Sequence, residues 1–175
     1  MLSDARIAIS GKSGCGNSTV SRLVAQSLGL RLINYTFHDM AKEIGISFKQ
    51  MCELAEQDAL YDLRLDQKQL DFAVEPGCVL GSRLAIWLLK EADLKVYLAA
   101  SLKVRAQRIS EREGQSFKEL FRETRERDKR DRGRYIKLYH IDIDECNFAD
   151  LIIDTEHMSP FEIADQIIKE MKNRI

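Results

Sequence analysis

Short apolar runs alternate along this chain with longer stretches in which apolar positions recur every three or four residues. Residues 6–10, Arg-Ile-Ala-Ile-Ser, are β-prone and end directly in a glycine-rich turn. Beyond the turn, Val20, Leu23, Val24 and Leu28 keep helical spacing until Gly29 stops the helix. Residues 31–34 read as a second strand. From about 37 to 74 the pattern is helical and charged, with a break near Gly45-Ile46-Ser47, where Ser47 can cap a new helix. Glu75-Pro76-Gly77 is a turn, and residues 78–81 form a third, buried strand. A short helix over 84–91 precedes a fourth strand over 94–99. Ser101 caps a helix that Gly114 ends, Ser116 opens another, and residues 151–153 form a fifth strand. Ser159-Pro160 starts the last helix, with Glu162 close behind. The alternation predicts an α/β fold, a five-stranded parallel sheet with helices on both faces and right-handed crossovers.

Composition narrows the class. At 175 residues the chain has the size of one domain, with an ordinary 45% of hydrophobic residues. A net charge of −1 argues against a surface built throughout for nucleic acid. Cys15, Cys52, Cys78 and Cys146 lie far apart with no C-x-x-C pair, which fits neither a zinc site nor a disulfide framework and suits reduced thiols. The N-terminus lacks a basic region followed by an apolar stretch, and no run approaches the roughly 18 apolar residues of a membrane helix. A soluble cytoplasmic protein is expected, with no membrane partner.

The chemistry concentrates at the first strand–helix junction, Gly11-Lys12-Ser13-Gly14-Cys15-Gly16-Asn17-Ser18-Thr19. It meets the phosphate-cradling pattern G-x-x-x-x-G-K-[ST] at every fixed position except one. Glycines let the backbone wrap a phosphate and aim N–H groups and a helix N-terminus at its charge. Ser18 stands where the Mg²⁺-binding hydroxyl belongs. Asn17 replaces the lysine, leaving a dipole where a full charge would face the β- and γ-phosphates. Lys12, at the second loop position, is the candidate to supply that charge. Cys15 reads as a small loop residue, although a helix N-terminus can also lower a thiol pKa.

With the loop, an arginine cluster and the last strand in view, the chain resembles the cytidylate kinase family, especially its short archaeal-type members, nearly from end to end. Gly81-Ser82-Arg83-Leu84-Ala85-Ile86-Trp87 is similar to the family's Gly-Arg-Leu-Ala-Gly-Trp segment. Arg105-Ala106-Gln107-Arg108-Ile109 is similar to its Arg-Ala-x-Arg-Ile helix, and residues 127–134 to its R-D-x-x-D-x-x-R lid signature. Residues 139–144, Tyr-His-Ile-Asp-Ile-Asp, and 149–155, Ala-Asp-Leu-Ile-Ile-Asp-Thr, complete the set.

The resemblance implies a P-loop NTPase fold in one domain, with an acceptor-binding segment at about 36–75 and a basic lid at about 115–142. It implies phosphoryl transfer from ATP, with Mg²⁺, to CMP or dCMP. Arg127, Arg132 and Arg134 would sit in the lid, and Asp131 would orient a lid arginine or contact the acceptor sugar. Arg83, Tyr35 and His38 would face the acceptor, and Arg105 and Arg108 the donor adenine.

Between Arg122 and Lys137 eight basic residues outnumber four acidic ones, an excess that calls for an anion. Glu123–Arg127 and Glu126–Arg130 are also spaced as helix ion pairs. The segment lacks interleaved aromatics for base stacking, so nucleic acid is not an expected partner, and a monomer is.

Other family positions differ. Gly-Asp-[Ile/Leu]-Phe-Arg becomes Asn34-Tyr35-Thr36-Phe37-His38, Asp-Arg-Arg becomes Asp66-Gln67-Lys68, and an aspartate after the fourth strand becomes Ala99. A protonated His38 could stand in for the missing arginine. Two alternatives stay open: a nucleotide-binding relative that senses or scaffolds without transfer, and a kinase for another small acceptor.

Overall fold

The computed structural model describes residues 2–174. Five parallel strands, β1 (Arg6–Gly11), β2 (Arg31–Ile33), β3 (Cys78–Gly81), β4 (Leu94–Ala99) and β5 (Leu151–Asp154), line up in the order β2-β3-β1-β4-β5. The alternation along β1 divides the core. Ile7 and Ile9 point to one face, among Val20, Val24, Ile163 and Ile167, while Ala8 points to the other, among Leu80, Ile86 and Leu89.

Helices α1 (Asn17–Leu28) and α8 (Pro160–Asn173) cover the first face. Ser159 and Glu162 form the capping box that starts α8, with Pro160 in its first turn. The short α5 (Ala85–Leu88) lies against the second face, where the Ile86 amide donates to Ser10 Oγ at 3.1 Å. It is half the length the sequence suggests.

Between β2 and β3 the chain folds into α2 (Phe37–Ile44), α3 (Phe48–Gln57) and α4 (Leu60–Ala73). The break at Gly45 is the expected one. The second, at Asp58, carries no glycine or proline. There the carboxylate accepts the Leu60 amide at 2.9 Å, a local bond that competes with the helix ladder. After β4 come α6 (Leu102–Glu113), which Gly114 ends at φ 67°, and the long basic α7 (Phe117–Tyr139). Among the described residues, no helix is long and apolar enough to cross a membrane.

Candidate active site

The carboxyl ends of β1 and β3 open into a cavity of about 440 Å³. The glycine loop forms one end and α4, with Arg83 and Arg134, the other. Two contacts fix the loop's shape. Gly14 has φ 85°, and a Cβ there would stand 2.7 Å from the Arg105 carbonyl oxygen. A Cβ on Gly11 would stand 2.9 Å from the Leu98 carbonyl oxygen, so both positions require glycine.

Behind the loop, Arg105 is 3% exposed. Its guanidinium donates to both carboxylate oxygens of Asp128, at 3.1 and 2.6 Å, and to the Ser13 carbonyl at 3.1 Å. Arg108 donates to the Gly14 and Thr155 carbonyls, at 3.4 and 2.5 Å. These two arginines brace the loop through its Ser13 and Gly14 carbonyls. Cys15 is also buried, and burial pushes its thiol up, as suits a small loop residue.

Asn17 turns away from the phosphate position. Its amide donates to the carbonyls of Ile9 (3.1 Å) and Ser82 (3.3 Å) and its oxygen accepts from Ser21 Oγ at 3.0 Å. The side chain therefore ties the end of β1 to the segment after β3. Gly81 leaves room for this: a Cβ there would come within 2.4 Å of Ser21 Oγ.

The charged groups at the loop are Lys12, Arg83 and Arg127. Lys12 Nζ lies 2.5 Å from Asp144, on the segment after α7. Arg83 and Arg127 both donate to Ser13 Oγ, at 3.4 and 3.2 Å. Arg127 thus forgoes the helix pair with Glu123, and Glu126 pairs with Lys129 at 3.4 Å rather than with Arg130. Arg132 lies beside Asp142 at 2.5 Å and Asp144 at 3.3 Å, and its hydrogen bond to Asp142 is the main cause holding that carboxyl down near 2.

At the far end, Asp131 is paired with Arg83 and also receives Arg134 at 3.3 Å. Arg134 lies 3.5 Å from Asp62 as well. Tyr139 donates its hydroxyl to Asp66 at 2.5 Å. Burial pushes the Asp62 carboxyl up and raises Asp66 to about 6. Among the described residues no cluster of three or more His, Cys, Asp or Glu could hold a metal by itself. The exposed Ser18 hydroxyl in the first turn of α1 suits an ion that keeps waters and phosphate oxygens as its other ligands, as Mg²⁺ does.

The model of the cytidylate kinase-like family matches residues 6–157. This chain belongs to the cytidylate kinase-like family. Cytidylate kinase 2 of Borrelia garinii subsp. bavariensis is 43% identical over 173 residues, covering 97% of each chain. Cytidylate kinase of Pyrococcus horikoshii is 40% identical over 156 residues, 88% of this chain and 81% of that one.

Solved structures with the same fold include shikimate kinase from Acinetobacter baumannii in complex with shikimate. It has a TM-score of 0.66 at 18% identity, over 97% of this chain and 93% of that one. Deoxyadenosine kinase from M. mycoides with bound dCTP has a TM-score of 0.55 at 17% identity, over 96% and 99%. Membership bears out the archaeal-type resemblance and the P-loop α/β fold read from the sequence.

For this family member, the cavity gathers most of the residues singled out from the sequence: the loop positions other than Cys15, with Ser18 and Thr19, and Tyr35, Arg83 and Arg134, while Arg127, Asp131 and Arg132 lie outside its lining. Tyr35 turns its hydroxyl to Glu43 at 2.8 Å, and burial with that bond pushes it to about 12. His38 lies outside the lining, exposed and stacked on Phe48 with ring centroids 3.5 Å apart. The first turn of α2 carries it to solvent. The sequence reading missed Asp62, Gln69 and Arg112, all in the lining. A signal existed for the first two. The buried positions of α4 are Asp62, Asp66, Gln69 and Ala73, a helical stripe that is polar where an apolar one belongs.

Proposed function

We propose that this chain transfers the terminal phosphoryl group of ATP to a nucleoside monophosphate, CMP or dCMP, giving ADP and the nucleoside diphosphate. The observation that carries this reading is the single cavity joining a phosphate-shaped glycine loop to an arginine-and-carboxylate pocket. Both substrates then meet in one cavity. The relatives named cytidylate kinase support CMP as the acceptor.

The loop amides and the N-terminus of α1 hold the donor phosphates, and Lys12 supplies the charge that Asn17 lacks. Lys12 would leave Asp144 for the phosphates when nucleotide enters. Arg83, Arg127 and Arg134 surround the moving phosphoryl group, and α7 acts as the lid, with Arg132 clamping its end to Asp142. Ser18 would hold the Mg²⁺ that comes with ATP and neutralises phosphate charge. Asp131 keeps Arg83 and Arg134 in register. Helices α2 to α4 form the acceptor segment, and the protein acts as a cytoplasmic monomer.

A second reading, nucleotide binding without transfer, draws on one observation: the Asn17 amide is fully used between strands and Lys12 is held by Asp144. The deciding experiment is ADP release from Mg-ATP with each nucleoside monophosphate offered alone. Fast turnover with CMP or dCMP is the expected result. ATP binding without turnover on any acceptor would favour the second reading.

A further inference from the structure

Lys12 lines the cavity, whereas Asp144, its one ion-pair partner among the described residues, lies outside that lining. The ammonium is therefore held by a carboxylate that forms no part of the cavity wall. Helix α7 ends at His140, whose φ of 55° makes it the one non-glycine residue with a left-handed backbone among those described. The chain turns back there, and Asp142 and Asp144 follow within four residues.

Asp144 does not depend on the lysine for its place. Its amide donates to Asp142 Oδ1 at 3.0 Å, and Asp142 accepts two bonds from Arg132, at 2.7 and 2.5 Å. Asp144 Oδ2 also lies 3.3 Å from Arg132 Nε, so the carboxylate keeps a cationic neighbour when Lys12 leaves. The Lys12 and Asp144 side chains are 26% and 45% exposed, and an ion pair this open to water is weak. A triphosphate offers the lysine several charged oxygens at once, and its flexible four-carbon stem lets the ammonium change partners. Exchange then favours the nucleotide.

We infer that Asp144 is a positioning residue for donor binding: it holds Lys12 while the loop is empty and yields it to the ATP phosphates. Each ATP bound thus breaks an ion pair between the loop and the segment that follows the lid helix. The inference rests on the reading of Lys12 as the charge that meets the donor phosphates. Arg83 and Arg127, the other cations at the loop, bond to Ser13 Oγ instead.

The test is equilibrium titration of the whole chain with Mg-ATP, without acceptor, for wild type, Asp144→Asn, Lys12→Ala and the double variant. Asp144→Asn frees Lys12, so ATP should bind about three- to fivefold more tightly than to wild type. In the Lys12→Ala background the same substitution should change ATP affinity by less than about twofold. Weaker ATP binding by Asp144→Asn would mean that the carboxylate holds Lys12 in place for the phosphates, and would overturn the inference. So would an unchanged affinity, or an equal gain with and without Lys12, which is the mark of plain repulsion between Asp144 and the phosphates. Should Asp144→Asn not fold, Asp144→Ser carries the same comparison. The titration needs no turnover. If no acceptor is phosphorylated while the affinities follow the expected pattern, the kinase reading fails and the inference stands.

Discussion

At the loop end of the cavity, Arg105 is sealed by Asp128, Asn17 bridges Ile9 and Ser82, and Lys12 rests on Asp144. At the α4 end, Asp62 and Arg134 keep buried atoms without partners, and two carboxyls are pushed up by burial. The loop's bracing is complete within the protein, whereas the other end is left for a ligand to finish. Such a division suits an enzyme whose donor phosphates always need one cradle, while its acceptor must be told apart from similar molecules.

Substitutions at the two ends should therefore fail differently. The largest effect is expected from Arg134→Ala, which removes a group from the unfinished end. Turnover should fall by about a hundredfold or more, the scale of losing one charge-stabilising contact. ATP affinity, measured by equilibrium titration, should stay within about twofold, because no loop contact is lost. Equal losses in both would break the distinction between the ends.

Asp128→Ala acts on the finished end and should show first in stability. It leaves the Arg105 guanidinium buried without its carboxylate, a change that costs about 3 kcal/mol. Denaturant midpoints would reveal it, and a midpoint equal to wild type would contradict the bracing role. The smallest effect concerns Asp66, which is raised from 3.8 to about 6. A raised carboxyl favours the folded state most below the unfolded value, and that contribution is lost as pH rises through the folded one. Stability should thus decline between about pH 4 and 6 by roughly 1–3 kcal/mol. Asp66→Asn should flatten that slope, as unfolding at several pH values would show.

The sheet and most helix limits were legible because they rest on local rules: apolar runs for strands, and Gly29, Gly45 and Gly114 as helix stops. The glycine loop was legible for the same reason. Asp58 was not, since its break depends on one side-chain bond to a neighbouring amide. The bracing of the loop by Arg105 and Arg108 was not legible because it depends on how α6 packs, which residue spacing does not express. The place of His38 outside the cavity lining was not legible either, because the turn of α2 decides which way it faces. Asp62 could have been found by asking why the inward stripe of α4 is acidic.

On the proposed reading, the loop's missing charge comes from Lys12. Single-turnover phosphoryl transfer by wild type and Lys12→Ala, with saturating Mg-ATP and CMP, tests it most directly. The expected result is fast transfer by wild type and a loss of about a hundredfold or more in the variant, on the scale of a transition-state charge contact. A variant that transfers as fast as wild type would show that the phosphate charge is met without this lysine.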